Sequence, residues 1–491
     1  METSQPDRGR RALRVVGAAA GLYLLGFLIF YPAVPGVRDS VRYLEQAYAF
    51  SLGITCFEKI DPVEGDRRCA RPAQYLPGTA ATMAPFVWLF GWRGGYLVSA
   101  LSLAAALWIT ALWLRGQRRS PLFALMLLGY PSALVFGRIA MSDMPSTALA
   151  ALGLWLFWTR RGGVGRSLLT GLVAAVALQF RETNALVFFV LFAGAVLRRE
   201  TAVWALVAGG GVGLLLRPLG TWVVFGDPLF VFPYGPEFSL GNLPSNLPLY
   251  ALTLLVFQPG GALGMLLYRG DRRPEVILTL VIFLSVYLTY GYTGAESGAV
   301  KQLLLGPRYF MPLTPLIAFA CAESFPRGLA WLESRLDPAR RERLGRGCTL
   351  AVRTWAAGIL AAAFLVHPAY SAYNAPYRGV QEAIYEYSAE GSVVVYNSRG
   401  VRKFVNRLFG GRQFARRKLL DDDDIVTLLE RHGGFTLALL DRSGSETLGE
   451  ESALNREFEE RTRALADMEL LQEMPVGAGD HLRIWRVTPR R

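Results

Sequence analysis

Histidine and cysteine are scarce in this chain, three of the first and four of the second in 491 residues. His367, His432 and His481 are scattered, and no Cys/His spacing matches a zinc site. No Walker or Rossmann glycine motif is present, and nothing in the sequence indicates nucleotide use. The glycines at 209–213 fall inside an apolar segment, where close helix packing explains them. Four cysteines make no disulfide framework, yet Cys56 and Cys69 share one loop, so a bridge between them is expected. Charged residues are only 19% of the chain.

Apolar residues are abundant instead. They make up 52% of the chain, with a mean hydropathy of +0.29, more than a soluble domain carries. Apolar runs of roughly 17 to 25 residues, the length that crosses a bilayer as a helix, recur from residue 15 to residue 367 and then stop. The pattern predicts an α-helical polytopic membrane protein with about eleven transmembrane helices, followed by a small C-terminal α/β soluble domain at 369–491. A net charge of +13 would suggest nucleic acid in a soluble chain, but here arginines fill the short linkers between apolar runs. Arg8, Arg10, Arg11 and Arg14 precede the first run, which is too long for a cleaved signal peptide, so the N-terminus is expected in the cytoplasm.

Placing the basic linkers inside assigns crossings at 15–34, 94–114, 120–137, 143–159, 167–180, 183–197, 201–225, 248–268, 275–292, 309–324 and 350–367. The transmembrane domain is then 1–368, with its outer loop 35–93 and the C-terminal domain both outside. Counting 74–92 as a further span would reverse every later loop. It is read as an interfacial helix on the outer face, with Pro77, Pro85 and Trp88 suited to that depth, and 41–50 as a second, amphipathic one. Beyond residue 369, 392–396, 435–440 and 481–487 read as strands and 421–430 and 450–466 as helices. The acids at 421–424 are read as complementing a helix dipole rather than binding calcium.

Charges at membrane depth are costly, so their placement is informative. Asp39 follows the first span, Asp143 opens 143–159, Arg181 and Glu182 occupy the turn between 167–180 and 183–197, and Lys301 and Arg308 precede 309–324. All face outward in a topology derived without them. Carboxylates beside cations at one depth point to an anionic ligand and a proton transfer. Structural readings compete with this: Asp39 as a solvated loop residue, Asp143 as a helix N-cap, Arg181 and Glu182 as partners of each other, Arg308 as a snorkelling side chain. Gly306 and Pro307 fix a turn before Arg308, and a guanidinium held there suits bidentate phosphate binding.

The order of these motifs resembles the GT-C superfamily of membrane glycosyltransferases, the group around aminoarabinose transferase and the protein O-mannosyltransferases. The matching features are Asp39 after the first helix, Gln74-Tyr75-Leu76-Pro77-Gly78, Ser142-Asp143-Met144-Pro145, Phe180-Arg181-Glu182-Thr183 and Arg308-Tyr309-Phe310-Met311-Pro312. Asp39-Ser40 stands where many relatives have two adjacent acids, so the sequence supports neither a divalent cation nor a metal site, and no cofactor is assigned. The resemblance implies an inverting hexosyl- or pentosyltransferase of the cell membrane. Such an enzyme moves a sugar from a polyprenyl-phosphate carrier to a lipid, glycan or protein acceptor on the outer face, with no role for nucleic acid. It further implies Asp39 as general base with Asp143 as second choice, Arg308, Lys301 and Tyr309 on the donor phosphate, and Arg181, Glu182 and Tyr75 in support. The alternative is a secondary transporter or flippase for a lipid or sugar. That class often carries inverted repeats and midplane charges, and neither is read here.

Overall fold

The structure is a computed structural model of the chain, and it describes residues 5–70, 75–160, 163–229, 238–291, 304–397, 413–417, 420–441, 446–476 and 480–490. Two compact units divide it. The first comprises Met1–Tyr31, Gln74–Met83 and Gly95–Pro368, the second Pro32–Ala73, Ala84–Gly94 and Ala369–Arg491.

Helices dominate the first 290 residues: α1 (Gln5–Ile29), α2 (Arg38–Ser51), α3 (Pro77–Phe90), α4 (Gly95–Gly116), α5 (Pro131–Phe136), α6 (Asp143–Thr159), α7 (Val164–Ala177), α8 (Asn184–Leu197), α9 (Val203–Phe225), α10 (Leu243–Leu252), α11 (Gly261–Leu266) and α12 (Arg273–Thr289). In the first unit α1 buries Val16, Ala19, Tyr23 and Phe27, a stripe at helical spacing, while Leu25, Leu28 and Ile29 stay exposed. Apolar side chains on the outward side as well as the packed side mark a helix that meets lipid. Helix α9 repeats this, with Leu215, Trp222 and Val223 exposed and Gly209 and Gly213 buried. Its glycines meet α7 at backbone distance, since a Cβ on Gly171 would collide with the Leu206 carbonyl and one on Gly209 with that of Leu168. Among the described residues five helical stretches are long and apolar enough to cross a bilayer: Gly9–Ile29, Trp92–Gly116, Val203–Phe225, Leu240–Phe257 and Pro338–Tyr387. The chain is a multi-pass membrane protein.

Several expected spans are broken. The stretch 120–137 forms a 3-10 turn, Pro121–Leu127, and then α5, each opening on a proline. Proline lacks the amide a helix interior requires and biases its predecessor away from helical dihedrals. The stretch 248–268 runs through α10, a π-turn at Thr253–Phe257 and α11, interrupted by Gly260 at φ +67°. A 3-10 segment, Gly306–Leu313, leads into the helix Thr314–Glu333. The last apolar run lies within a 50-residue helix, Pro338–Tyr387. Helix α3 has 14 residues, a rise of about 21 Å, shorter than a bilayer core of about 30 Å. Helix α2 buries Val41, Tyr43, Leu44, Glu45, Gln46 and Ala47, more of its circumference than a helix lying on a membrane surface.

The second unit contains a hairpin, β1 (Phe57–Ile60) with β2 (Arg67–Ala70), and a five-stranded sheet of β3 (Val393–Tyr396), β4 (Gln413–Arg416), β5 (Phe435–Asp441), β6 (Ala466–Pro475) and β7 (His481–Pro489). The sheet order is β4-β3-β5-β7-β6. Strand β3 is parallel to β4 and β5, whereas β7 is antiparallel to β5 and β6. One face packs Val394, Tyr396, Ala438, Leu440 and Ile484 against Val380 and Ile384. The other packs Val393, Val395, Leu437, Leu439 and Trp485 against Ile425, Leu428 and Phe458. The helix Asp422–His432 begins with a capping box in which Asp421 and Asp424 bind each other's backbone amides, so these acids serve the helix start.

Candidate active site

Within the first unit, Asp143, Arg181, Arg308 and Tyr309 come together. Asp143 stands in the first turn of α6, whose N-cap position belongs to Ser142, so the aspartate is not the cap. Its fully buried carboxylate forms an ion pair with Arg181, in the turn between α7 and α8. Burial is the largest influence and opposes the Arg181 charge, but Asp143, together with Tyr309 and Tyr287, holds the guanidinium above its ordinary pKa despite repulsion from Arg308. The expected Arg181–Glu182 pairing is absent: Glu182 is drawn outward to Arg217 on α9, which removes it from the site.

The Arg181 and Arg308 guanidiniums lie 5.1 and 5.0 Å from the centroid of the Tyr309 ring. Arg308 donates to the Tyr309 hydroxyl at 3.2 Å, and its guanidinium also lies 5.4 Å from the Phe136 ring centre. Tyr287 stacks on Tyr309 with centroids 5.2 Å apart and an interplanar angle of 10°. Tyr290 meets it edge-on at 5.1 Å. The turn before Arg308 is anchored by hydroxyls, Tyr130 donating to the Pro307 carbonyl and Tyr250 to that of Gly306 at 3.4 Å. The arginine backbone is therefore fixed by two buried tyrosines that the sequence reading missed. It missed Arg138 too, which is 1% exposed, contacts the His367 ring and donates to the Phe30 carbonyl.

The Tyr75 segment meets this site from α3. Gly78 donates its N–H to the Gln179 carbonyl at 3.2 Å, and a Cβ on Gly78 would come within 2.7 Å of that oxygen. Only glycine brings the start of α3 this near the α7–α8 turn.

Asp39 belongs to the second unit, half-buried in the first turn of α2. Gly36, at φ +69°, turns the chain into that helix, and a side chain there would collide with the Tyr370 hydroxyl. Lys301 lies outside the described residues. Cys56 is disulfide-bonded, whereas Cys321 and Cys348 are free. Among the described residues no group of three His, Cys, Asp or Glu side chains is placed to hold a metal ion.

No protein-family model and no curated protein matches this sequence. Solved structures do. The chain is similar to ArnT from Cupriavidus metallidurans in the apo state, with a TM-score of 0.63 and 14% identity over 96% of this chain and 97% of that one. It is also similar to the same protein bound to undecaprenyl phosphate, with a TM-score of 0.59 at 14% identity and the same coverage. A weaker likeness, TM-score 0.49 at 11% identity, is to the oligosaccharyltransferase AglB from Archaeoglobus fulgidus, over 98% of this chain and 74% of that one. At these identities the likeness concerns the fold alone, which this chain shares with ArnT over nearly its whole length.

Proposed function

We propose that this chain is an inverting glycosyltransferase that takes a sugar from a polyprenyl-phosphate carrier and passes it to a lipid, glycan or protein acceptor on the outer face of the cell membrane. The observation that carries this is the cluster in which Arg181 and Arg308 share the Tyr309 ring beside buried Asp143. As the bond between the anomeric carbon and the phosphate oxygen breaks, the phosphate gains negative charge. A guanidinium fixed there stabilises that state more than the ground state. Arg308 takes this role, with Lys301 assisting and Tyr309 orienting it. The acceptor hydroxyl attacks the anomeric carbon from the opposite face and inverts it, and its proton passes to a general base, the role given to Asp39. For Asp143 the buried ion pair favours a counter-ion's work: it holds Arg181 in place. Tyr75 supports the α3 side. Undecaprenyl phosphate in the ArnT structure is the kind of carrier this reading requires.

The test is turnover of radiolabelled polyprenyl-phosphate sugars by protein in nanodiscs. Asp39→Asn retains size and hydrogen bonding but cannot take the proton, so turnover falls roughly 100-fold with donor binding intact. A folded Asp39→Asn protein turning over at the wild-type rate removes Asp39 as the base. Movement of the carrier between leaflets with no sugar transferred from any donor instead establishes the flippase.

A further inference from the structure

The second unit holds a cavity of about 440 Å³ that the transfer reading leaves unused. Its walls come from four places: Tyr396 at the end of β3, Phe414 and Arg416 on β4, Asp424 of the helix Asp422–His432, and Asp61 and Glu64 in the turn between β1 and β2. The order β4-β3-β5 with all three strands parallel means that the chain leaves β3 to one side and later crosses to the other. In open α/β sheets, ligands settle beyond the carboxyl ends of the strands next to such a reversal.

The cavity wall is built before any ligand arrives. Asp61 Oδ1 accepts the Val63 and Glu64 amides at 3.0 and 3.3 Å. The turn is tied to the helix Asp422–His432 by His432 Nε2, 2.9 Å from the Pro62 carbonyl, and by Arg431 donating to the Val63 carbonyl at 2.6 Å. Charge narrows the ligand class. Asp61, Glu64 and Asp424 against Arg416 leave an excess of carboxylate, which disfavours phosphates and nucleotides. The carboxylates are too dispersed for a metal ion, since no such group exists among the described residues. Dispersed acceptors and one forked donor around aromatic rings suit a ligand with hydroxyls on several sides, and the volume lies within the usual range for small-ligand sites, about 300 to 1,000 Å³.

We propose that this cavity is a saccharide-binding site separate from the transfer site. Saturation-transfer NMR with maltose, cellobiose and chitobiose, on the full chain in nanodiscs, tests it. At least one disaccharide is expected to receive saturation. The affinity should fall about fivefold in each of Arg416→Ala and Glu64→Gln, the loss of roughly one hydrogen bond, and be unchanged in Arg308→Ala. Glu64 is exposed, so its replacement leaves folding intact. Silence from all three sugars overturns the proposal, as does a signal indifferent to both cavity variants or one lost in Arg308→Ala. The readout is binding, so absence of glycosyl transfer by the chain would leave this result standing.

Discussion

Each end of α6 carries two guanidiniums against one aromatic ring, and the two ends handle them differently. At the C-terminal end Arg160 and Arg272 lie 4.0 and 4.5 Å from the Phe157 ring centre. Glu200 bridges both, and Arg198 pairs with Glu275 close by at 2.7 Å. At the N-terminal end Arg181 and Arg308 share Tyr309; Asp143 pairs with Arg181, while the ring's own hydroxyl accepts from Arg308. A carboxylate that bridges two arginines neutralises them, which suits a clamp between helices. A π-face and a phenol set the direction of a guanidinium, which suits presenting its planar fork to an anion. Arginine count alone cannot distinguish the two ends, because each has a pair.

The largest effect expected from this contrast is at Arg308. Arg308→Ala should lower turnover about 100- to 1,000-fold, as loss of one oxyanion-type donor does, with an unchanged melting temperature. Arg308→Lys retains the charge but not the planar fork and should fall between. Glu200→Gln should do the reverse. Without the bridging charge, Arg160 and Arg272 repel each other in a buried setting at a cost of about 2 kcal/mol, below the full range for a buried pair because Glu200 is partly exposed. Activity per folded molecule should stay within about twofold, because uniform stability effects do not touch the transition state. Equal behaviour of the two variants in activity and melting would erase the distinction between the ends.

The helical class, the C-terminal α/β pattern and the motif order were readable because they rest on periodicity and local chemistry. The bounds of α6 match the expected 143–159. What was not readable depends on tertiary contact. Tyr130, Tyr250, Tyr287 and Tyr290 gain meaning only when three separated segments converge on the 306–313 turn. Glu182 was misjudged because Arg217 lies 35 positions away and its approach is set by helix packing. Strand β6 follows directly on the helix Glu446–Leu465, where the unbroken polar-apolar text reads as more helix, and β4 lacks an apolar run. Cys56 is disulfide-bonded, and the pairing with Cys69 expected from their shared loop predicts that Cys56 and Cys69 alkylate only after reduction. Alkylation of both in unreduced protein would refute that pairing.

The smallest and most discriminating change is Tyr309→Phe. The ring remains, so the contacts to Arg181, Arg308, Tyr287 and Tyr290 persist and the fold should melt as before. The hydroxyl is lost, and with it a hydrogen bond with Tyr290 and the bond that it accepts from Arg308. If that bond aims the guanidinium at the donor phosphate, its loss should raise KM for the donor about three- to fivefold, the value of one hydrogen bond, with kcat falling by no more than that. Tyr309→Leu removes the π-face as well and should add a further loss of about fivefold. The order of the two variants is the informative result. Were Tyr309 mere packing, Phe would be silent and Leu would act through the melting temperature alone, and the N-terminal end of α6 would then be a clamp like the other.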